Sequence, residues 1–214
     1  GLMGQLRAGT GHADTVHAIR IHCRKLQALL ELSGNETRAA GMAKSVRRLS
    51  KLRALQVFRQ YLIKIDAAES DMAVVEAWIV ERKQKLSRTQ AYGKIEQVVR
   101  KQALPAIASP THSLTAHLDV LRHAHERRLD RLIKAASDDP RRKRLHALRL
   151  ALKTIRYQTE WLAGPIGSKQ ALLKKIKQVQ PLLGRYEELA DFRRWGKGLP
   201  PEVQARIRKD WKRA

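Results

Sequence analysis

Apolar residues recur along the chain at intervals of three and four, and nowhere do they alternate with polar ones over the length of a strand. That is the period of helices with one buried stripe, and it predicts an all-α protein. Val16, Ile19, Cys23, Leu26 and Leu30 make the first stripe. It predicts a helix that starts at Asp14 or Thr15, both able to cap it, and stops at Ser33-Gly34. A second helix is expected over residues 36–50 and a third over 53–65. Residues 71–104 read as one long or once-broken helix with Gly93 as its weak point. Pro105 and Pro110 make 104–113 the best internal boundary.

The second half repeats the plan. Leu114, Leu118, Leu121, Leu129, Leu132 and Ile133 predict a helix ending near Ser137. Asp139 is expected to cap the next, with Pro140 in its first turn where a missing N–H costs nothing. Its stripe is Leu145, Leu148, Leu152, Ile155 and Leu162, and it should close at Gly164-Pro165. A further helix is expected from Ser168 to Leu183, ended or kinked by Pro181. A short one then runs through Asp191 to Trp195, and the last opens at Pro200-Pro201-Glu202.

One motif recurs. His17-Ala18-Ile19-Arg20 followed by Arg24 returns as His146-Ala147-Leu148-Arg149 followed by Lys153, and Glu31 corresponds to Glu160. Residues at i, i+3 and i+7 share one helical face, offset here from the apolar stripe. Each of these helices thus has one side for a core and another for charge. The organisation expected is a single domain over residues 1–214, with half-repeats at about 14–107 and 113–212.

Charge changes the picture more than composition does. Forty-four Lys and Arg against twenty Asp and Glu give a net charge of +24. Such self-repulsion opposes a compact state, which points to a polyanionic partner that neutralises part of it. Cys23 is the only cysteine and stands on an apolar stripe, so no intrachain disulfide forms and a buried, inert thiol is expected. The longest uncharged stretch, residues 102–118, holds both prolines and two histidines, so no membrane span is expected. The opening Gly1-Leu2-Met3-Gly4 has no basic-then-apolar run, and a cytoplasmic location is the expectation.

The segments Val16-His17-Ala18-Ile19-Arg20-Ile21-His22-Cys23-Arg24-Lys25-Leu26 and Leu145-His146-Ala147-Leu148-Arg149, continuing through Lys153-Thr154-Ile155-Arg156-Tyr157 to Glu160, resemble the two marker helices of the CHAD domain, the conserved-histidine α-helical domain family. Leu49-Ser50-Lys51-Leu52-Arg53 and Leu183-Gly184-Arg185-Tyr186 resemble its two turn motifs more weakly, with Ser50, Ala54, Glu188 and Gln27 departing from the usual residues. The resemblance covers about residues 14–195. It implies two pseudo-symmetric four-helix bundles packed around a basic groove or pore. It also implies non-catalytic binding of inorganic polyphosphate and association with polyphosphate granules.

A flexible chain carrying about one charge per phosphate needs many donors along a track and the release of condensed counterions. Arg supplies a planar fork for phosphate oxygens and Lys a mobile point charge. The residues this assigns are His17, Arg20, Arg24 and Lys25 in the first half, and His146, Arg149, Lys153 and Arg156 in the second. Lys44, Arg47 and Lys51 add a further i, i+3, i+7 stripe, with Lys174 and Lys177 as later counterparts and Arg53 at the first turn motif. His17 and His146 read either as ligand contacts or as groups that orient the neighbouring arginines. No metal or other cofactor is expected: His17 and His22 splay apart at i, i+5, as do His123 and His125, and no carboxylate or Cys stands beside them at ligand spacing. Trp78 and Trp161 stand on apolar stripes and read as core residues.

Two other functions were weighed. A chain this basic attracts nucleic acid weakly at low salt, but its ten aromatic residues do not interleave with the basic stripes as base stacking requires. A phosphoryl-transfer enzyme acting on polyphosphate would need a phosphate-cradling Gly loop or paired aspartates for a metal, and neither pattern occurs.

Overall fold

The computed structural model describes residues 13–103, 114–162 and 170–213. Among them are eight α-helices and no strand: α1 (Ala13–Leu32), α2 (Glu36–Lys64), α3 (Glu69–Arg88), α4 (Ala91–Val98), α5 (Leu114–Asp138), α6 (Arg142–Leu162), α7 (Gln170–Trp195) and α8 (Pro201–Lys212). A π-helical turn, Val99–Ala103, extends α4, and a 3-10 turn, Gly196–Gly198, follows α7. The all-α class is therefore as the apolar period predicts. The expected boundary at 104–113 and the closing Gly164-Pro165 lie outside the described residues.

Four expected helix ends are displaced, each for a local reason. The second and third predicted helices are one element, α2. Ser50, the residue expected to end the first of them, lies within the helix, flanked by the buried Leu49 and Leu52, and its Oγ donates to Val46 O at 3.0 Å. The element ends instead at Asp66, whose φ of 51° places it in the left-handed region. There Ala67 N–H donates to Leu62 O (3.0 Å) and Asp66 N–H to Ile63 O (3.1 Å), the paired bonds of a Schellman end. The break after α3 falls at Thr89-Gln90, not at Gly93. Gln90 takes φ 50°, and the Thr89 hydroxyl donates to Lys85 O at 2.8 Å. Asp139 and Pro140 precede α6 rather than starting it, with Asp139 paired to Arg141 (2.8 Å) and Arg144 (3.3 Å). Pro181 lies inside α7, which runs on through Asp191 to Trp195. The proline is exposed, so the i−4 carbonyl it cannot serve is near solvent.

The described helices divide between two compact units, and several helices pass from one into the other. The first unit holds residues 1–21, 44–96 and 185–214; the second holds 22–43 and 97–184. Each takes residues from both halves of the sequence.

In the first unit, α2 buries Val46, Leu49, Leu52, Leu55, Phe58 and Leu62. An aromatic cluster closes this core: Phe58 lies 4.9 Å from Phe192 and 5.7 Å from Trp195, and Tyr61 lies 4.8 Å from Phe192. The Tyr61 hydroxyl donates to Asp210 Oδ2 at 2.9 Å, and burial together with that bond pushes its pKa up. The second unit has a cluster of Leu30, Ala39, Met42 and Ala103, and another in which Leu148 and Leu152 of α6 meet Ala136 of α5 and Ile176 of α7. Cys23 is buried here.

Candidate functional site

Arg20 is half-buried on α1, and its position follows from the helical face it shares with His17. Its Nη1 donates to Val46 O (3.0 Å) and to Ser50 Oγ (2.7 Å), so the guanidinium ties α1 to α2 within the first unit. Arg53 is also half-buried. Burial draws its pKa below the ordinary arginine range, and the charges of Asp14 and Glu188 oppose that shift. Arginine keeps its proton under such conditions. Glu188, which departs from the usual turn residue, thus still supplies a negative charge near Arg53.

The second unit holds its arginines in a similar way. Arg24 Nη1 reaches Gln27 Oε1 at 3.4 Å, and Gln27 Nε2 donates to Glu31 Oε1 at 2.8 Å. Gln158 of α6 donates to Glu31 Oε2 at 3.3 Å, joining α6 to α1. Burial pushes the Glu31 carboxyl above its ordinary value, against the pull of the Gln27 bond and of Arg128 and Arg24. Arg156 donates from Nη1 to Gln180 Oε1 (2.8 Å), lies 3.4 Å from the Glu160 carboxylate through Nε, and rests over the Tyr157 ring at 4.6 Å. The guanidinium of Arg149 lies beside Gly184 of α7, where a Cβ would stand 3.4 Å from Nη2. Lys25 and Lys153 are half-buried in the same unit.

The other predicted residues have different surroundings. His17, Lys44, Arg47 and Lys51 in the first unit, and His146, Lys174 and Lys177 in the second, are exposed. Among the described residues, Lys44, Arg47, Lys51, Lys174 and Lys177 make no hydrogen bond or ion pair. Within the predicted set, Arg20, Arg24 and Arg156 are thus held by neighbours, whereas Lys44, Arg47, Lys51, Lys174 and Lys177 are cations free to meet a ligand. Gln27 and Gln180, which hold Arg24 and Arg156, and Gln158, which bonds Glu31, were not legible as partners, because a glutamine on a helix has no pattern that marks it; Gln27 stands out in the sequence only as a departure from the family's usual residue. Trp78, expected in the core, is only half-buried, and the side chain of Trp161 lies outside the described ones. No group of three or more His, Cys, Asp or Glu that could hold a metal occurs among the described residues.

The sequence pattern of the CHAD domain matches residues 4–196. The chain belongs to the CHAD-domain family. No curated protein and no solved structure matches it. Both marker helices of this CHAD chain form as helices, α1 and α6, and the His, Arg and basic residue of each motif fall on them. No described helix is long and apolar enough to cross a membrane.

Proposed function

We propose that this CHAD chain binds inorganic polyphosphate through the basic stripes of its helices and does no chemistry on it. The observation that carries this reading is the stripe of Lys44, Arg47 and Lys51 on α2: three exposed cations on one face, none in an ion pair. They span about 10 Å at ~1.5 Å per residue, enough to meet several successive phosphates. Nothing in such a stripe reads a base or a ring, and register along it is free, which suits a uniform polyanion. Arg20 in the first unit, and Arg24 and Arg156 in the second, are held by backbone, serine and glutamine partners and add pre-set cations to the stripes of their own units. Family membership supports the choice of ligand, since CHAD domains are linked to polyphosphate. The pair of pseudo-symmetric four-helix bundles, the internal duplication, the polyphosphate granule as client and a cytoplasmic setting belong to the same proposal. Binding as proposed needs only the stripes within each unit.

Isotherms with polyphosphates of graded length, competed by duplex and single-stranded nucleic acid at physiological salt, test it. Long polyphosphate is expected to resist displacement at equal phosphate concentration; displacement by nucleic acid would overturn the ligand. Replacing Lys44, Arg47 and Lys51 with alanine should flatten the slope of log affinity against log salt by about two, taking ~0.7 per phosphate contact as for single strands. The same change at Lys209 and Lys212 of α8 is expected to matter little; equal losses from both would mean diffuse attraction and no site. Incubation with magnesium should leave polyphosphate length unchanged, and shortening that depends on a stripe residue would make the chain an enzyme.

A further inference from the structure

We propose that a cleft in the first unit, formed by α2, α3 and the end of α7, binds a single nucleotide. Its volume is about 260 Å³, and its walls are Lys51, Leu55, Trp78, Glu81, Arg82, Lys85 and Trp195. Small-molecule pockets usually begin near ~300 Å³, so this one lies just below that range and would enclose the base alone, with the phosphates outside it at the exposed lysines. The inference goes beyond the polyphosphate reading and shares only Lys51 with it.

The chemistry of the walls sets the ligand. A ringless polyanion gains nothing from an indole, yet two of the chain's four tryptophans meet here. Trp195 is held in place by Phe58 at 5.7 Å and by the Arg194 guanidinium at 5.6 Å, so its ring is preorganised. Trp78 is half-buried, with ring surface left for a partner. Indole faces stack on nucleobases of any sequence.

Phosphate is served from the same walls. Lys51 and Lys85 are exposed and make no ion pair among the described residues. Arg82 is anchored through Nη2 to Arg48 O at 3.1 Å, while its Nε is enclosed and has no acceptor. Glu81 is the one carboxylate in the cleft, and it matches the exocyclic amino group of an amino-bearing base such as adenine. Two rings, three cations and one acceptor together describe a nucleotide better than either a bare phosphate or an apolar molecule.

The test compares ATP with tripolyphosphate at physiological salt, in the wild-type chain and in Trp78→Leu. ATP is expected to bind roughly tenfold more tightly than tripolyphosphate, and Trp78→Leu to remove that advantage, the loss expected from one base–aromatic stack. Tripolyphosphate affinity should stay within twofold. The proposal is overturned if ATP binds no more tightly than tripolyphosphate, if tight binding appears only with oligoadenylate, or if Trp78→Leu leaves the ratio unchanged. Because a tryptophan variant can lose structure, a second measurement uses the wild-type chain alone. Magnetisation transferred from indole protons to the ring protons of adenine supports the site, and its absence with ATP bound overturns it. Long polyphosphate is titrated in parallel, so a failure of the polyphosphate reading is seen separately from a failure here.

Discussion

Arg20 and Lys51 carry the same charge but stand in different surroundings, and single substitutions separate them. Arg20→Ala removes two charge-assisted bonds, to Val46 O and Ser50 Oγ, that fasten α1 to α2. A loss of about 1.5–3 kcal/mol of stability is expected, measured by urea denaturation. Lys51→Ala removes no bond in the fold and should leave stability within ~0.5 kcal/mol. Equal effects of the two would show that the Arg20 bonds contribute nothing. Glu31 permits a second prediction at this scale. Its pKa in the folded state is raised above the ordinary 4.5 by burial. A carboxyl raised in this way contributes stability that is fully present below the unfolded value and lost as pH rises through the folded one. Glu31→Gln has no such dependence, and the amide of Gln158, whose Oε1 has no partner, can turn to accept from the new NH2. The stability of Glu31→Gln relative to the wild type should therefore increase as pH rises from 4.5 and then level off. A flat difference across that range would show that the carboxyl is not perturbed.

At the scale of elements, the sequence revealed what is periodic and hid what is local. The stripe Val16, Ile19, Cys23, Leu26, Leu30 located α1 to within a residue or two at each end; the glycine agrees with the apolar period at its C-terminal end, but the helix starts before the expected caps, with Asp14 and Thr15 inside its first turn. The ends at Gln90 and within α2 were hidden for one reason: the residues that decide them are ordinary types in unusual settings. Ser50 lies inside α2 with its hydroxyl turned back to Val46 O and its oxygen accepting from Arg20, and Gln90 ends α3 with a backbone angle that glycine adopts more easily. The cations of the site were legible as helical faces. Which of them are fixed and which are free was not, since that depends on neighbours from other helices, such as Gln180 for Arg156. Gln90→Gly makes this a prediction. Relieving a left-handed angle at a non-glycine residue should stabilise the chain by about 1 kcal/mol, while Gly93→Ala, inside α4 with open space beside it, should add a similar amount by helix propensity. Thermal melting checks both, and destabilisation by Gly93→Ala would place the break where the sequence first suggested.

For the molecule as a whole, the net charge of +24 opposes the fold and would be the source of the proposed affinity. Like charges on exposed helix faces repel in the folded state more than in the expanded unfolded chain, so added salt should first raise the melting temperature as repulsion is screened. A polyanion that only screened would do the same in proportion to its ionic strength. A ligand bound by the native stripes acts differently, because it stabilises by RT ln(1 + [L]/Kd), about 2.7 kcal/mol at a hundred times Kd. Micromolar long polyphosphate, which adds almost nothing to the ionic strength, should therefore raise the melting temperature measurably in physiological salt. The rise should shrink when Lys44, Arg47 and Lys51 are removed and persist when Lys209 and Lys212 are. A shift that appears only at low salt, or that follows total charge whichever lysines are removed, would mean that the folded arrangement of cations adds nothing to what an unfolded chain of the same composition offers a polyanion.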